Sequence, residues 1–299
     1  MWFNGRGTAD DRGLALVSVL VVVALLSIIA VSVTFSESVS YRLTQNDITR
    51  AKFDAATEAG IFRAILALLD PRIDRRWRVD GTLRDFEFAG AHLKVQIEDE
   101  QGKIDINAAN GELLVNLFHS AGLDIHAASN MSDRVLDWRE PGELRRLNGA
   151  KDPDYRGSGY SYGPRNGPFQ TIDELKLVMG MTPNLFGRVE PAITIYSGRD
   201  SVNVQTAPRE ALLALPDMDA DKVDALLELR AGNRDSGSAV PASAVADARG
   251  GRAFTIRAEL ATGETDFVRE AVVRFTENAA QPYWILSWKM GRPLSTNRR

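Results

Sequence analysis

The chain of 299 residues contains no cysteine, few histidines and no excess of basic residues. Without cysteine it can form no disulfide, no thiolate nucleophile and no zinc site with cysteine ligands. Its net charge of −4 gives no basic footprint of the kind that nucleic-acid-binding proteins carry. It also has no HExxH motif, no phosphate-binding loop and no Gly-x-Ser-x-Gly elbow. We therefore expect neither an enzyme nor a nucleic-acid partner.

What the sequence does contain is one long uncharged segment, residues 14–33, in which only Ser18, Ser27 and Ser32 are not apolar. As a helix it would span the roughly 30 Å of a bilayer's hydrocarbon core, and it exceeds the apolar region of a signal peptide. No glycine or proline interrupts the chain from Leu14 to Ala59. One continuous helix of about 55 residues is therefore predicted.

The second half of this helix is predicted to be amphipathic. Ala55, Ala59, Phe62, Leu66 and Leu69 recur at spacings of three and four residues, which lays them along one helical face. We expect this face to pack on a folded body.

The start of the chain resembles the leader of type IV pilins and type II secretion pseudopilins, because Arg12-Gly13 directly precedes the apolar segment. The resemblance implies that a prepilin peptidase cuts between Gly13 and Leu14 and methylates the new N-terminus. An uncleaved signal anchor is the alternative.

The fifth mature position would be Ser18, where most members of that family carry Glu. An unpaired carboxylate is costly in a bilayer, so a subunit with no neighbour ahead of it should lack one. Among pseudopilins, the K-type minor subunits of type II secretion resemble this arrangement.

The rest of the chain predicts an α+β fold, with a pilin-like long helix packed on an antiparallel sheet. Period-two alternation predicts a hairpin around Gly90-Ala91 and three strands after residue 252. Short helices fill the region between, which predicts a large all-α domain inserted between strands. The predicted divisions are a leader (1–13), a transmembrane half-helix (14–34), a pilin-like helix with first strands (35–102), an inserted helical domain (103–230), a flexible loop (231–252) and C-terminal strands (253–299).

The sequence of the helical domain predicts an internal repeat, since residues 103–117 and 201–215 share their apolar pattern at an offset of 98 residues. Both copies resemble helix-hairpin-helix or SAM-like units. The second resembles modules of DNA-binding receptors, but its turn has no glycine and carries Asp217, Asp219 and Asp221. These carboxylates would repel a phosphate, so we expect a helix-hairpin-helix fold that does not bind phosphate.

A long loop, from about residue 140 to 171, is the best candidate for a specific site. It resembles a stretch of the K family in Asp137, Trp138, Gly149, Ala150, Asp152, Tyr155 and Asn166-Gly167-Pro168. The family binds calcium in this domain, which implies Asp137, Glu140, Asp152 and Asp154 as ligands here.

Three departures from the family pattern weaken that implication: Glu140 and Gly142 each replace an Asp, and Lys151 replaces a Glu. The alternative is a metal-free loop in which Arg145 and Arg146 neutralise Asp137 and Glu140.

Taken together, the resemblance implies a non-enzymatic minor pseudopilin at the tip of the secretion pseudopilus, which starts or caps the filament. Its partners would be the other minor pseudopilins, the major pseudopilin, the prepilin peptidase and the inner-membrane assembly platform. It would cross the inner membrane once, with the soluble domain in the periplasm. A membrane-anchored receptor with helix-hairpin-helix modules and a minor pilin of a type IV pilus are the alternatives.

Overall fold

A computed structural model describes residues 10–235, 252–261 and 266–294. Within them, side chains are not described for residues 10–15, 30–46, 73, 233–235, 261 and 266. The chain divides into two compact units, residues 1–55 and 56–299. The leader prediction for residues 1–9 and the loop prediction for residues 236–251 lie outside the described part.

The described part contains one long helix and six shorter ones. The long helix α1 spans Asp10–Leu68 without a break, which confirms the predicted continuous helix. The others are α2 Gly111–Ser120, α3 Ile125–Arg139, α4 Asp152–Gly157, α5 Pro183–Val189, α6 Arg209–Leu212 and α7 Ala220–Asp235.

The apolar N-terminal segment belongs to the first unit. The side chains of residues 16–29 are exposed there, whereas those of Leu14, Ala15 and residues 30–33 lie outside the described ones. Among the described residues, no helix combines the length and the apolar character that a membrane span requires.

In the second unit, the buried face of α1 differs from the predicted one. Leu66 is 64% exposed, while Ile61, Ala64 and Ile65 are buried. The reason is the close approach of helix and sheet at Gly60, where an added Cβ would lie 3.0 Å from the Cβ of Ala258. Gly60 has no Cβ and allows this approach, so the face that contains it is buried together with Ile61 and Ile65, and Leu66 stays outside.

The predicted hairpin is confirmed as β1 (Arg84–Phe88) and β2 (Ala91–Asp99), which pair in antiparallel register from Phe88–Ala91 to Arg84–Val95. The two turn residues, Ala89 and Gly90, both have positive φ angles, 51° and 80°. This is the turn geometry that matches the twist of a two-residue hairpin.

The three C-terminal strands are also confirmed, as β5 (Ala253–Ala261), β6 (Asp266–Phe275) and β7 (Tyr283–Met290). The sheet has the order β1-β2-β5-β6-β7, and all of its neighbouring strands are antiparallel. Every helix from α2 to α7 therefore lies in the connection between two adjacent strands, β2 and β5.

The helical region has its own core, built around Leu114, Phe118, Val135, Trp138 and Tyr155. The helical region also contains a small parallel sheet, in which β3 (Ile104–Asp105) pairs with β4 (Ile193–Thr194). The two copies of the predicted repeat look different. The first copy holds β3 and α2, whereas the second holds no strand and only the four-residue α6, so the repeat stays a prediction.

Candidate functional site

The long loop after α3 is attached at both ends to one segment, residues 106–109. At its start, the Arg139 guanidinium donates to the carbonyls of Ile106 and Ala109 at 2.5 and 2.7 Å. At its end, the side-chain amide of Asn107 accepts from the backbone N–H of Phe169 and donates to its carbonyl, at 2.7 and 2.9 Å. These bonds hold the loop ends, because each satisfies a backbone group that lacks a partner in a helix or strand.

Lys151 is the buried charge of this loop, with 3% of its surface exposed. Its Nζ donates to the carbonyl oxygens of Asp137 (2.7 Å) and Glu140 (2.9 Å) and to Oδ1 of Asn166 (3.0 Å). The first two belong to the C-terminal turn of α3, where carbonyls have no partner within the helix. The lysine that departs from the family pattern therefore sits at the centre of the loop.

The carboxylates of Asp137 and Glu140 share one arginine. Nη1 of Arg146 lies 3.3 Å from Oδ1 of the fully buried Asp137 and 2.5 Å from Oε2 of Glu140. Hydrogen bonds from Arg146 lower the pKa of Glu140 below its ordinary value. Gly149 packs directly on the Asp137 carboxylate, so that any Cβ at this position would collide with it. Arg146 therefore pairs with both carboxylates, as the metal-free alternative for this loop predicts.

The other two predicted ligands have different partners. Asp154 accepts from the backbone N–H of Lys151 at 2.9 Å and pairs with Arg145 at 3.0 Å, so Arg145 does not neutralise Asp137 or Glu140. Asp152 pairs with Arg156 at 3.2 Å.

Calcium does not fit the residues present. In the part of the chain that the structure describes, no group of three or more His, Cys, Asp or Glu side chains could hold a metal ion. The converging oxygens of the loop already bond to an ammonium group, and each of the four carboxylates bonds to an arginine. The calcium ligand set Asp137, Glu140, Asp152 and Asp154 thus remains a prediction that the geometry does not favour.

An aromatic cluster packs behind the loop. The Trp138 ring stacks on Phe169 at 6.1 Å between centroids and lies 5.9 Å from Tyr155. The Tyr155 hydroxyl accepts from the backbone N–H of Met179 at 2.9 Å, and burial raises its pKa to about 12. These two family-matched residues therefore serve packing, and a titration of Tyr155 near neutral pH is excluded.

A second buried cluster joins the sheet to the helical region, and the sequence did not reveal it. Nζ of Lys103 lies 2.9 Å from Oε2 of Glu98 and 2.8 Å from Oε1 of Glu100. Arg257 bridges Glu98 at 2.8 Å and Glu270 at 2.6 Å across three strands. The one signal in the sequence was the polar face of β2, where Glu98 alternates with apolar residues.

Close by, the buried Asp99 on β2 forms an ion pair with Arg252, which begins the return to β5. Thr255 on β5 donates to Glu100 at 2.7 Å, and Thr194 on β4 donates to the same carboxylate. The junction between sheet and helical region is therefore polar, and these five residues are buried.

The residues predicted for processing and for the tip position all lie in α1. Gly13 and Leu14 belong to its first turns, and their side chains lie outside the described ones. Ser18 lies within the described part and is exposed. Their roles stay predictions.

Two family models match this chain. One, described as "Type II secretion system (T2SS), protein K", matches residues 93–198, which include most of β2, α2 to α5 and the loop. The other, described as "PilX N-terminal", matches residues 12–62, which lie within α1.

Three similar proteins carry the name "Type II secretion system protein K". The protein from Klebsiella pneumoniae is 28% identical over 228 residues, covering 68% of this chain and 69% of that protein. The one from Pectobacterium carotovorum subsp. carotovorum is 25% identical over 250 residues, covering 74% and 75%. The one from Pseudomonas aeruginosa is 22% identical over 247 residues, covering 74% and 72%.

Among solved structures, the chain resembles one chain of the GspK-GspI-GspJ complex from the enterotoxigenic Escherichia coli Type 2 Secretion System. The TM-score is 0.57 at 16% identity, and the match covers 83% of this chain and 98% of that chain. At this identity the likeness concerns the fold, a mixture of helices and an antiparallel sheet.

Proposed function

Because the chain belongs to the type II secretion system protein K family, we propose that it is a non-enzymatic minor pseudopilin at the tip of the secretion pseudopilus. In this position it initiates the filament and caps it, and so serves the export of proteins across the outer membrane.

One observation carries the tip position: a whole helical region fills the connection between β2 and β5. Adjacent antiparallel strands can be joined by a two-residue turn, so the fold of the sheet does not require this insertion. The region has its own hydrophobic core. A body of this size would obstruct a further subunit at the end of the sheet from which it emerges.

Ser18 supports the same position through charge. In a filament, a Glu at the fifth mature position would offset the buried N-terminal ammonium of a neighbouring subunit. An unpaired buried charge costs several kcal/mol, and the serine hydroxyl cannot neutralise it. A chain with Ser18 should therefore be unable to add beneath a copy of itself.

The N-terminal segment would hold the chain in the inner membrane before assembly, with the soluble part in the periplasm. A prepilin peptidase would remove residues 1–13 and methylate Leu14. The segment 14–33, uncharged throughout, supports this role because a helix of that length matches the hydrocarbon core of a bilayer.

We propose the other minor pseudopilins as its principal partners, since the similar fold comes from a complex named for three such proteins. Exposed apolar side chains on α1 and on the edge strand β7 support a contact there. Leu66 is 64% exposed, Met290 67% and Trp288 37%, and Trp288 lies 6.2 Å from the ring of Phe62 on α1. Apolar patches of this kind mark interaction surfaces. We expect α1 to contact the major pseudopilin and the inner-membrane assembly platform.

A minor pilin of a type IV pilus is the second candidate, because residues 12–62 match the N-terminal family described as PilX. The protein K match over residues 93–198 favours the secretion pseudopilus. The membrane-anchored receptor has no comparable support.

The test is co-expression of the full chain with the prepilin peptidase, alone and together with the other minor pseudopilins, followed by purification in detergent. We expect a heteromeric complex with the partners and no filaments from this chain alone. Ser18→Glu should permit self-association, because it supplies the missing carboxylate. Ser27→Glu is the matched control, since it adds the same charge about two and a half turns further along α1. Filaments formed by the unaltered chain alone would refute the tip assignment.

A further inference from the structure

The surroundings of Lys151 are those of a bound cation. Its Nζ contacts three oxygens at 2.7 to 3.0 Å: two main-chain carbonyls and one side-chain amide. Carbonyl and amide oxygens are also ligands that hard cations prefer in proteins. An ammonium group has three donors and no acceptor, so these three oxygens satisfy it completely.

Electrostatics also favour a positive charge at this point. The carbonyls of Asp137 and Glu140 end helix α3, and the C-terminus of a helix carries a partial negative charge. The carboxylate of Asp137 is fully buried beside them, and Arg146 contacts it from the other side at 3.3 Å.

The lysine is also tied in position along the chain. Its own backbone N–H bonds to the Asp154 carboxylate at 2.9 Å, and its carbonyl accepts from the backbone N–H of Asp154 at 2.9 Å. The third oxygen comes from Asn166, whose φ of 54° lies in the left-handed region that Asn tolerates. One residue thereby connects the end of α3, the start of α4 and the last third of the loop.

We propose that the ε-ammonium of Lys151 is a built-in cation that fills a cation site of this loop and excludes a divalent ion from it. The three oxygens that converge there bond to Lys151, and a second cation would be repelled by it. Folding of the loop therefore does not depend on calcium in this chain. A Glu at position 151 of this chain would place a carboxylate against the same three oxygens, and an added metal ion would be needed to offset their repulsion.

The experiment compares the full chain in detergent with two variants, each in millimolar calcium and in chelator. Lys151→Met keeps an unbranched side chain that is one atom shorter, and it removes the charge. Lys151→Glu reverses the charge and restores the family residue. Lys222→Met is the matched control, because Lys222 also donates to a main-chain carbonyl, that of Asp217 at 2.7 Å, but its side chain is 59% exposed.

Two readouts separate the loop from the rest of the chain. The melting temperature reports global stability, and trypsin cleavage mapped by mass spectrometry reports opening of residues 140–171. We expect the unaltered chain and Lys222→Met to give the same values with calcium and with chelator. Lys151→Met should melt about 5 °C or more below the unaltered chain in both conditions, because the three oxygens around this buried side chain lose their donor.

Lys151→Glu supplies the decisive contrast. In chelator its loop should be cleaved faster and its melting temperature should fall, and calcium should restore both, since a ligand that binds only the native state stabilises it. A rise of several degrees when calcium is added to the unaltered chain would overturn the proposal. So would Lys151→Met melting with the unaltered chain, or a destabilised Lys151→Glu that calcium leaves unchanged.

Discussion

Lys103 offers the sharpest test of how the sheet is joined to the helical region. Its side chain is 7% exposed, and its Nζ lies 2.8 Å from a carboxylate, that of Glu100, whose side chain is 1% exposed. Replacing Lys103 with Met keeps the apolar stem and leaves the Glu100 carboxylate buried without its cation. Glu98, the other partner, keeps Arg257 at 2.8 Å and should suffer less.

The expected loss of unfolding free energy follows from this difference between Glu100 and Glu98. Breaking a buried ion pair by removing one partner costs roughly 3–5 kcal/mol. Glu100 keeps two hydroxyl donors, Thr255 and Thr194, so we expect a loss near the lower end, about 3 kcal/mol. The double variant Lys103→Met/Glu100→Gln removes both charges together and should lose less than Lys103→Met alone.

The assay is equilibrium unfolding in urea of the full chain in detergent, with the slope of the transition checked for constancy between variants. Lys222→Met is the control, because Lys222 forms an ion pair at the same i, i+3 spacing with Asp219 while both side chains are about 60% exposed. An exposed pair is worth about 0–1 kcal/mol. Two results would show that the buried pair does not stabilise the junction. One is a loss of unfolding free energy in Lys103→Met no larger than in the control. The other is a double variant whose loss equals the sum of the losses in Lys103→Met and in Glu100→Gln.

Three further predictions concern acid stability, processing and helix packing. Burial raises the pKa of Glu98, but Lys103 and Arg257 lower it further, to about 2, so its stabilisation is present above pH 4.5 and is lost as the pH falls toward 2. The unfolding free energy should therefore fall less steeply between pH 5 and pH 3 in Glu98→Gln, and equal slopes would exclude this role. Gly13→Val should abolish leader removal by a co-expressed prepilin peptidase, and intact-mass measurement showing Leu14 as the N-terminus of this variant would contradict the assigned cleavage site. Gly60→Val should cost about 1–3 kcal/mol by overpacking against Ala258, whereas Gly232→Val, in a helix position with open space around it, should not destabilise the chain in the same urea assay.

Several elements followed from the sequence alone because their signals are local. The uninterrupted run without glycine or proline predicted α1, and period-two alternation predicted β1, β2 and the three C-terminal strands. The family resemblance also rested on short sequence patterns: a glycine before an apolar segment, and the residues around Trp138. Such signals involve residues close in the chain, and their meaning does not depend on what packs against them.

The features that only the tertiary structure decided depend on partners far apart in the chain. Helical spacing identified an apolar stripe on α1, but the close approach of Gly60 to Ala258, nearly 200 residues away, buried the neighbouring face that contains Gly60, Ile61 and Ile65. The sequence marked Lys151 as a misfit to a calcium loop, but only folding brought its ammonium to the end of α3 and to Asn166. Likewise Glu98 and Arg257 lie on strands paired across the whole helical region. A buried charge stabilises the fold when an opposite charge or a set of oxygens takes the place of the water that burial removes. Which groups take that place is decided by the fold.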